Sequence, residues 1–309
     1  MTRCNIAPMA LPMRPAPTLL PVLATIMGIV LYSAMDALLK GASLAIGAYS
    51  AFLIRCLMGL ALIGPAWWYK QRRWPSRAAM RIHLLRGVVV AFMGWSFFYS
   101  LVRLPLAEAI AISFIAPLIA LYLAAVMLDE RIERGAIAAA LLGLAGVAII
   151  VAGKIGRERL AEDSLLGLAA ILVSAVLYAW SLVLQRQQAL VAGPAEISTF
   201  QNGVVALVLL PAAPFLLRLP DQAVLGLLGA GAVLAVGAAL FLAWAYARAE
   251  AQVLVPVEYS GFLWAALFGW LCFAEQVSPA TLAGAVLIVA GCLVAARRRA
   301  PPEPEITAL

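Results

Sequence analysis

Charge is scarce in this chain. Only 12% of its 309 residues are Asp, Glu, Lys or Arg, while 65% are apolar, against roughly 25% charged in a soluble globular domain. A water-soluble fold is excluded. Histidine is scarcer still: His83 is alone, so no paired-His or HExxH metal site can be assembled, and its place outside midplane depth without a catalytic neighbour argues against a Ser/His set. It reads as an interfacial residue beside a cationic loop. Cys4, Cys56, Cys272 and Cys292 show no CxxC spacing, and three of them lie inside apolar runs, where cysteine behaves as a small hydrophobe. No disulfide framework or zinc site is indicated. A G-x-x-x-x-G-K-[ST] loop is missing too, since the glycines near Gly153-Lys154 have the wrong spacing, so ATP is not the direct energy source. No cofactor, no metal and no enzymatic activity are expected.

What the chain has in abundance is long apolar runs. Broken by charge or by Pro and Gly, they number ten: 19–39, 48–69, 84–102, 105–128, 135–153, 165–185, 197–217, 223–246, 252–273 and 278–296. Each matches the roughly 20 residues that a helix needs to cross a hydrocarbon core, and no alternating barrel pattern competes. The expected fold is an all-α integral membrane protein of ten transmembrane helices. The segment 1–18, with Pro8, Pro12, Pro15 and Pro17, reads as a short tail rather than a cleavable signal peptide.

The net charge of +7 has its simplest explanation in topology rather than nucleic acid. With the N-terminus inside, fourteen Lys and Arg fall on the inner side and six on the outer, leaving Arg55 and Arg86 within spans. Both termini are therefore expected in the cytoplasm.

Sliding the sequence on itself gives an internal repeat. At an offset of 146, Leu31-Tyr32 meets Leu177-Tyr178, Lys40 meets Arg186 and Pro65 meets Pro211; at 145, Arg103 meets Arg248, Glu130 meets Glu275 and Gly146 meets Gly291. Each copy holds five spans, an odd number, so the second enters the membrane from the opposite side. The expected organisation is a tail at 1–18, a first repeat at 19–153, a periplasmic linker at 154–163, a second repeat at 164–296 and a tail at 297–309. Inverted halves can open a midplane site to either face in turn, which points to a carrier. A channel would need a continuous polar pore, and the spans are too apolar for one.

The five-plus-five layout, Pro117 followed by Glu130, and the stretch PVEYSGFLWAALFGWLCFAEQVSPATLAGAVLIVAG from Pro256 to Gly291 resemble the EamA-type transporters of the drug/metabolite transporter superfamily. Within that group the chain is most similar to the YddG-type inner-membrane exporters of amino acids. The resemblance implies a multi-pass protein of the bacterial inner membrane that exports a small metabolite, an amino acid above all. A cationic drug or a nucleoside-like metabolite is the alternative cargo. The expected partners are that small molecule and membrane lipid, with no nucleic acid and with the chain a monomer or a homodimer.

Polar groups within spans mark the candidate pathway, because they are costly in a bilayer. Asp36 stands one turn above Tyr32 on the same helix face; it suits a substrate ammonium, or else pairs with Lys40 or Arg55. Arg55 suits a substrate carboxylate through a bidentate pair, or serves structurally against Asp36. Glu258 lies between Pro256 and Tyr259 beside a broken helix, suited to a cation or a proton, or to pairing with Arg86 or Arg248. Its repeat mate is Ser113, whose carbonyl is freed by Pro117. Aromatic faces at Tyr32, Trp95, Tyr99, Tyr178, Trp244 and Tyr259 suit apolar side chains and ammonium groups alike. Trp67, Trp68 and Trp74 read as an interfacial belt. Glu130 and Glu275 precede spans five and ten and are expected to cap them. Those two spans carry small residues at Gly135, Ala139 and Gly143 and at Ala280 and Gly284, the marks of scaffold or of a dimer seam.

Overall fold

The computed structural model describes residues 19–71, 74–116, 118–119, 134–155, 162–189, 191–246, 248, 254 and 257–297. Pro117, Glu130 and Pro256 lie outside them. Every regular element among the described residues is helical.

Helix α1 (Leu19–Ile46) runs past the expected end at 39 and stops at Gly47, whose φ of +85° only glycine adopts freely. Lys40 is thereby inside a helix, not in a loop. Helix α2 (Ala48–Gln71) follows at once. Helix α3 (Arg77–Leu101) starts well before the expected position 84, because Ser76 Oγ accepts the amide of Ala79 at 3.2 Å and caps it. Helix α4 (Leu106–Ser113) and α5 (Arg134–Ile155) complete the first half.

The second half begins with α6 (Glu162–Ala189) and α7 (Pro194–Leu209), the latter with proline in its first turn, where the missing N–H costs nothing. Pro211 and Pro214 then tighten the chain into a single 3₁₀ turn (Leu210–Ala212) and the short α8 (Ala213–Leu216). Helix α9 (Gln222–Tyr246) is capped by Asp221, whose Oδ1 accepts Val224 N at 2.8 Å. Helix α10 (Gly261–Phe273) ends at Ala274 in the left-handed conformation, φ 52°, and α11 (Pro279–Arg297) is capped by Ser278 Oγ on Thr281 N at 3.0 Å.

Among the described residues six helical stretches are long and apolar enough to cross a membrane: 19–46, 48–70, 77–101, 163–185, 194–216 and 222–246. Shorter apolar helices cover 141–153, 261–273 and 279–291. Leu144, Phe215, Leu263 and Val286 are among many large apolar side chains left exposed, an outer surface that suits lipid and not water.

The packing is symmetric under exchange of the halves. That exchange sends α1 to α6, α2 to α7, α3 to α9, α4 to α10 and α5 to α11. The extensive α1–α9 interface becomes α6–α3, α1–α10 becomes α6–α4, and α2–α9 becomes α7–α3, while α2–α7, α4–α10 and α5–α11 map onto themselves; all of these pairs are in contact. Phe114 and Tyr259, mates at the 145 offset, touch ring to ring at 5.2 Å, so the pseudo-two-fold axis passes between them. Both sit in matching helix interruptions. The chain turns at Phe114–Ile115 and at Tyr259–Ser260, with i→i−3 bonds from Ile115 N to Ile112 O and from Ser260 N to Val257 O.

Helices α5 and α11 pack against each other within the chain. A Cβ on Gly146 would stand 2.6 Å from the carbonyl oxygen of Gly284, one on Gly284 2.5 Å from that of Gly146, and one on Gly153 2.4 Å from Ala280. Small residues here bring two backbones together. The polar bonds also interlock the halves: Lys40–Glu275, Tyr49–Leu209, Ser50–Leu216, Arg55–Asn202, His83–Glu196, Arg86–Gln188, Ser174–Met93 and Thr281–Glu108 all cross from one half to the other.

Candidate functional site

Direct contacts define two ends of the bundle. At the Lys40 end, Lys40 Nζ donates to the carbonyl of Leu104 at 2.7 Å and to Glu275 Oε1, while Leu106 N donates to Glu275 Oε2 at 2.7 Å. Glu275 therefore caps α4 and not the helix that follows it, where Ser278 does that work. Lys40 thus pairs with Glu275 and not with Asp36. At the opposite end, His83 is fully buried rather than interfacial: its Nε2 faces Glu196 Oε1 at 3.1 Å, its Nδ1 faces Gln188 Nε2, and Phe200 stacks on the ring at 4.9 Å. Trp67 is buried there too, packed on Phe200 at 5.1 Å, whereas Trp68 and Trp74 stay exposed as a belt residue should.

Between the ends lies a group of charges and tyrosines. The Tyr32 hydroxyl is within electrostatic reach of Arg55, Arg86, Asp36 and Glu258, and that of Tyr178 within reach of Glu258, Tyr32, Arg86 and Asp36. Asp36, Tyr32, Tyr178 and Glu258 are each enclosed by protein yet keep part of their surface accessible. Together they are the candidate lining of a substrate cavity.

The two acids and two bases of this cavity do not pair with one another. Asp36 has only the field of Arg55 and makes no hydrogen bond or ion pair to a described residue. Arg55 reaches Asn202 Oδ1 and Cys56 Sγ, each at 3.4 Å, lies over Phe52, and leaves its Nε without a partner. Arg86 donates from Nη1 to Gln188 Oε1 at 2.6 Å and from Nη2 to Gln185 Oε1 at 3.0 Å, and its Nε is likewise unpartnered. Glu258 accepts from the Tyr246 hydroxyl, not from Arg86 or Arg248. Arg248 lies over Trp244 at 4.3 Å instead.

The expected site residues thus divide. Tyr32, Asp36, Tyr178 and Glu258 come together, with Tyr259 and Phe114 on the axis at the interruption next to Glu258. Trp95 packs edge-on against Tyr49 at 6.3 Å, and Ser113 returns its hydroxyl to the carbonyl of Ala109 at 2.9 Å. Tyr99 is held under Arg103 at 3.7 Å, and Arg103 faces Asp163 at 3.5 Å. Trp244 is largely exposed on the outside. Tyr246, Arg86, Gln185, Gln188, His83 and Glu196 are the site residues that the sequence reading did not assemble. Their signal was present: Gln185 and Gln188 lie three apart, hence on one helix face, and Arg86 was a charge inside a span.

An all-helical, membrane-crossing bundle whose halves are exchanged by a two-fold is the architecture of a multi-pass transporter of small molecules. The chain belongs to the EamA-like transporter family, whose model matches residues 19–152 and 165–297. Among known proteins it is similar to the pseudopaline exporter CntI of Pseudomonas aeruginosa, 29% identical over 289 residues that cover 90% of this chain and 96% of that one. It is also similar to an S-adenosylmethionine uptake transporter of Rickettsia felis, 23% identical over 271 residues, covering 87% and 89%. A solved crystal structure covers 90% of this chain and 98% of its own, with a TM-score of 0.61 and 23% identity, a likeness of fold.

Proposed function

We propose that the protein exports amino acids, neutral and aromatic ones included, or similar small zwitterionic metabolites across the bacterial inner membrane. In this reading ten spans form two inverted repeats, 19–153 and 164–296, with both termini in the cytoplasm, and the repeats rock about the Phe114–Tyr259 axis to give alternating access. The observation that carries the cargo is the set around Tyr32. It holds two carboxylates and two guanidinium groups, none paired with another, so the cavity is neutral overall yet offers both signs of charge. A zwitterion satisfies both at once, and the tyrosine faces accept its side chain or its ammonium. The similarity to YddG-type exporters points to the same cargo. One relative's name states export and another's uptake, so export rests on that resemblance; net flux in an inverted-repeat carrier follows the gradient.

Asp36 is assigned to the substrate ammonium, and Glu258, beside the helix interruption, to cation binding or proton coupling. The test is flux of radiolabelled amino acids into proteoliposomes, with and without an imposed pH gradient. Saturable flux with competition among amino acids supports the reading, and its absence from folded protein overturns it. In Glu258→Gln, insertion should be kept and any dependence on the pH gradient lost. An unchanged gradient response would remove Glu258 from coupling.

A further inference from the structure

Arg86 differs from the other buried cation with a defined role. Lys40 ends on a carboxylate, and its charge is cancelled where it sits. Arg86, 6% exposed, ends on two neutral amide oxygens, those of Gln185 and Gln188, and forms no ion pair among the described residues. A guanidinium held by neutral acceptors keeps its full charge, and burying it so is costly unless an anion arrives. The free Nε–H is one half of the side-on edge by which arginine grips a carboxylate with two parallel hydrogen bonds, and that Nε is the atom left without a partner. The charge acts on the hydroxyls of Tyr32 and Tyr178, which belong to the cavity.

The way Arg86 is held has a direction built in. Arginine can only donate, so Gln188 must turn its carbonyl oxygen toward Arg86 and its NH₂ toward His83 Nδ1. That nitrogen must then be a bare acceptor. The proton of the neutral ring sits on Nε2 and is donated to Glu196; the assignment follows from the network and not from observed hydrogens. Glu196, His83, Gln188 and Arg86 form one chain of hydrogen bonds from the first turn of α7 to the cavity, and each link admits a single orientation of the next.

We infer that Arg86 recognises the carboxylate of the substrate, its buried and unpartnered Nε–H becoming reachable as the cavity opens beside Tyr32 and Tyr178, and that Gln185, Gln188 and His83 are positioning residues that hold the guanidinium there. With Glu258 it makes an acid and a base on the His83 side of Tyr32, matching Asp36 and Arg55 on the Lys40 side. A zwitterion therefore finds a like pair of groups on either side of Tyr32 as the cavity turns from one face to the other. This rests on the amino-acid reading of the cavity and specifies which group reads the acid end.

The test uses the purified full-length chain in detergent, titrated with L-phenylalanine and with L-phenylalaninamide, which lacks only the carboxylate. Affinities come from the ligand-induced rise in melting midpoint, and leucine with leucinamide serve when phenylalanine gives no shift. The wild type should prefer the acid by at least about tenfold, a modest share of what a charge-assisted bidentate pair supplies. Arg86→Gln should bring the ratio close to one by weakening the acid alone, and Arg86→Lys should recover part of it. Gln188→Glu keeps Arg86 in place but hands it an internal carboxylate, and should also erase the preference; a purely structural arginine would be indifferent to it. His83→Phe should lower the ratio less. An unchanged ratio in monodisperse Arg86→Gln and Gln188→Glu protein overturns the inference while leaving the amino-acid reading intact. A wild type that binds none of the amino acids overturns both.

Discussion

Acid and base residues occur at two levels of this bundle and behave in opposite ways. At the Lys40 end, cation and carboxylate meet, and each also bonds backbone, Lys40 to the Leu104 carbonyl and Glu275 to the Leu106 amide. Around Tyr32, two cations and two carboxylates all act on one tyrosine hydroxyl, and none of them pairs with another among the described residues. Both arrangements cost desolvation. Only the first recovers it inside the folded chain, so the first is architecture, and in the function proposed above the second is what a ligand completes.

That contrast predicts that stability and transport respond to substitution in opposite order. The largest loss of stability should follow Glu275→Ala or Lys40→Ala, about 3–5 kcal/mol each, because one buried charge is stranded. The double variant should be less damaged than the sum, as a double-mutant cycle of melting midpoints will reveal. Additive losses would mean that the pair does not act as a unit. Next comes the α5–α11 seam, where Gly284→Val forces a side chain against Ile150 and the Gly146 carbonyl and should cost about 1–3 kcal/mol by overpacking.

Asp36→Asn should move stability by less than about 1 kcal/mol, since an unpaired charge leaves nothing stranded and its removal lightens desolvation. Flux should instead fall steeply, by about 10- to 100-fold in substrate affinity if an ammonium loses a charge-assisted bond. A variant with normal flux would detach Asp36 from the cargo. The smallest effect on both scales belongs to Ser113→Ala, whose hydroxyl is turned back on its own helix and should matter by under about 0.5 kcal/mol.

The broad outline was legible in the sequence because it is periodic and repetitive. Apolar runs of membrane length, and the 145-residue offset that pairs Phe114 with Tyr259 and Glu130 with Glu275, need no coordinates to be seen. What could not be read was partner choice across the repeat. Glu275 stands four residues before α11 and was expected to cap it, yet Ser278 lies closer and the folded chain brings the α4 N-terminus alongside. Lys40 and Asp36 are one turn apart, which suggests a pair, but α1 runs on to Gly47 and turns Lys40 toward Leu104. Likewise His83 sits near charged residues in the sequence, and only the early start of α3 at the Ser76 cap carries it into the interior. The helix ends, fixed by single caps and by positive φ at Gly47 and Ala274, decided which polar residues counted as buried.

The cross-half bonding has a consequence for how the protein is made. Lys40 waits for Glu275, 235 residues downstream, and Arg86 for Gln188, 102 residues downstream. At roughly 5–20 residues per second, the first half spends about five to twenty seconds in the translocation machinery or bilayer before Gln188 exists, and about ten to fifty before Glu275 does. During that interval Lys40, Arg55 and Arg86 are charges without their final neighbours. A chain cut short between the halves is therefore not a smaller working unit but an unfinished one, with buried charges still lacking their neighbours.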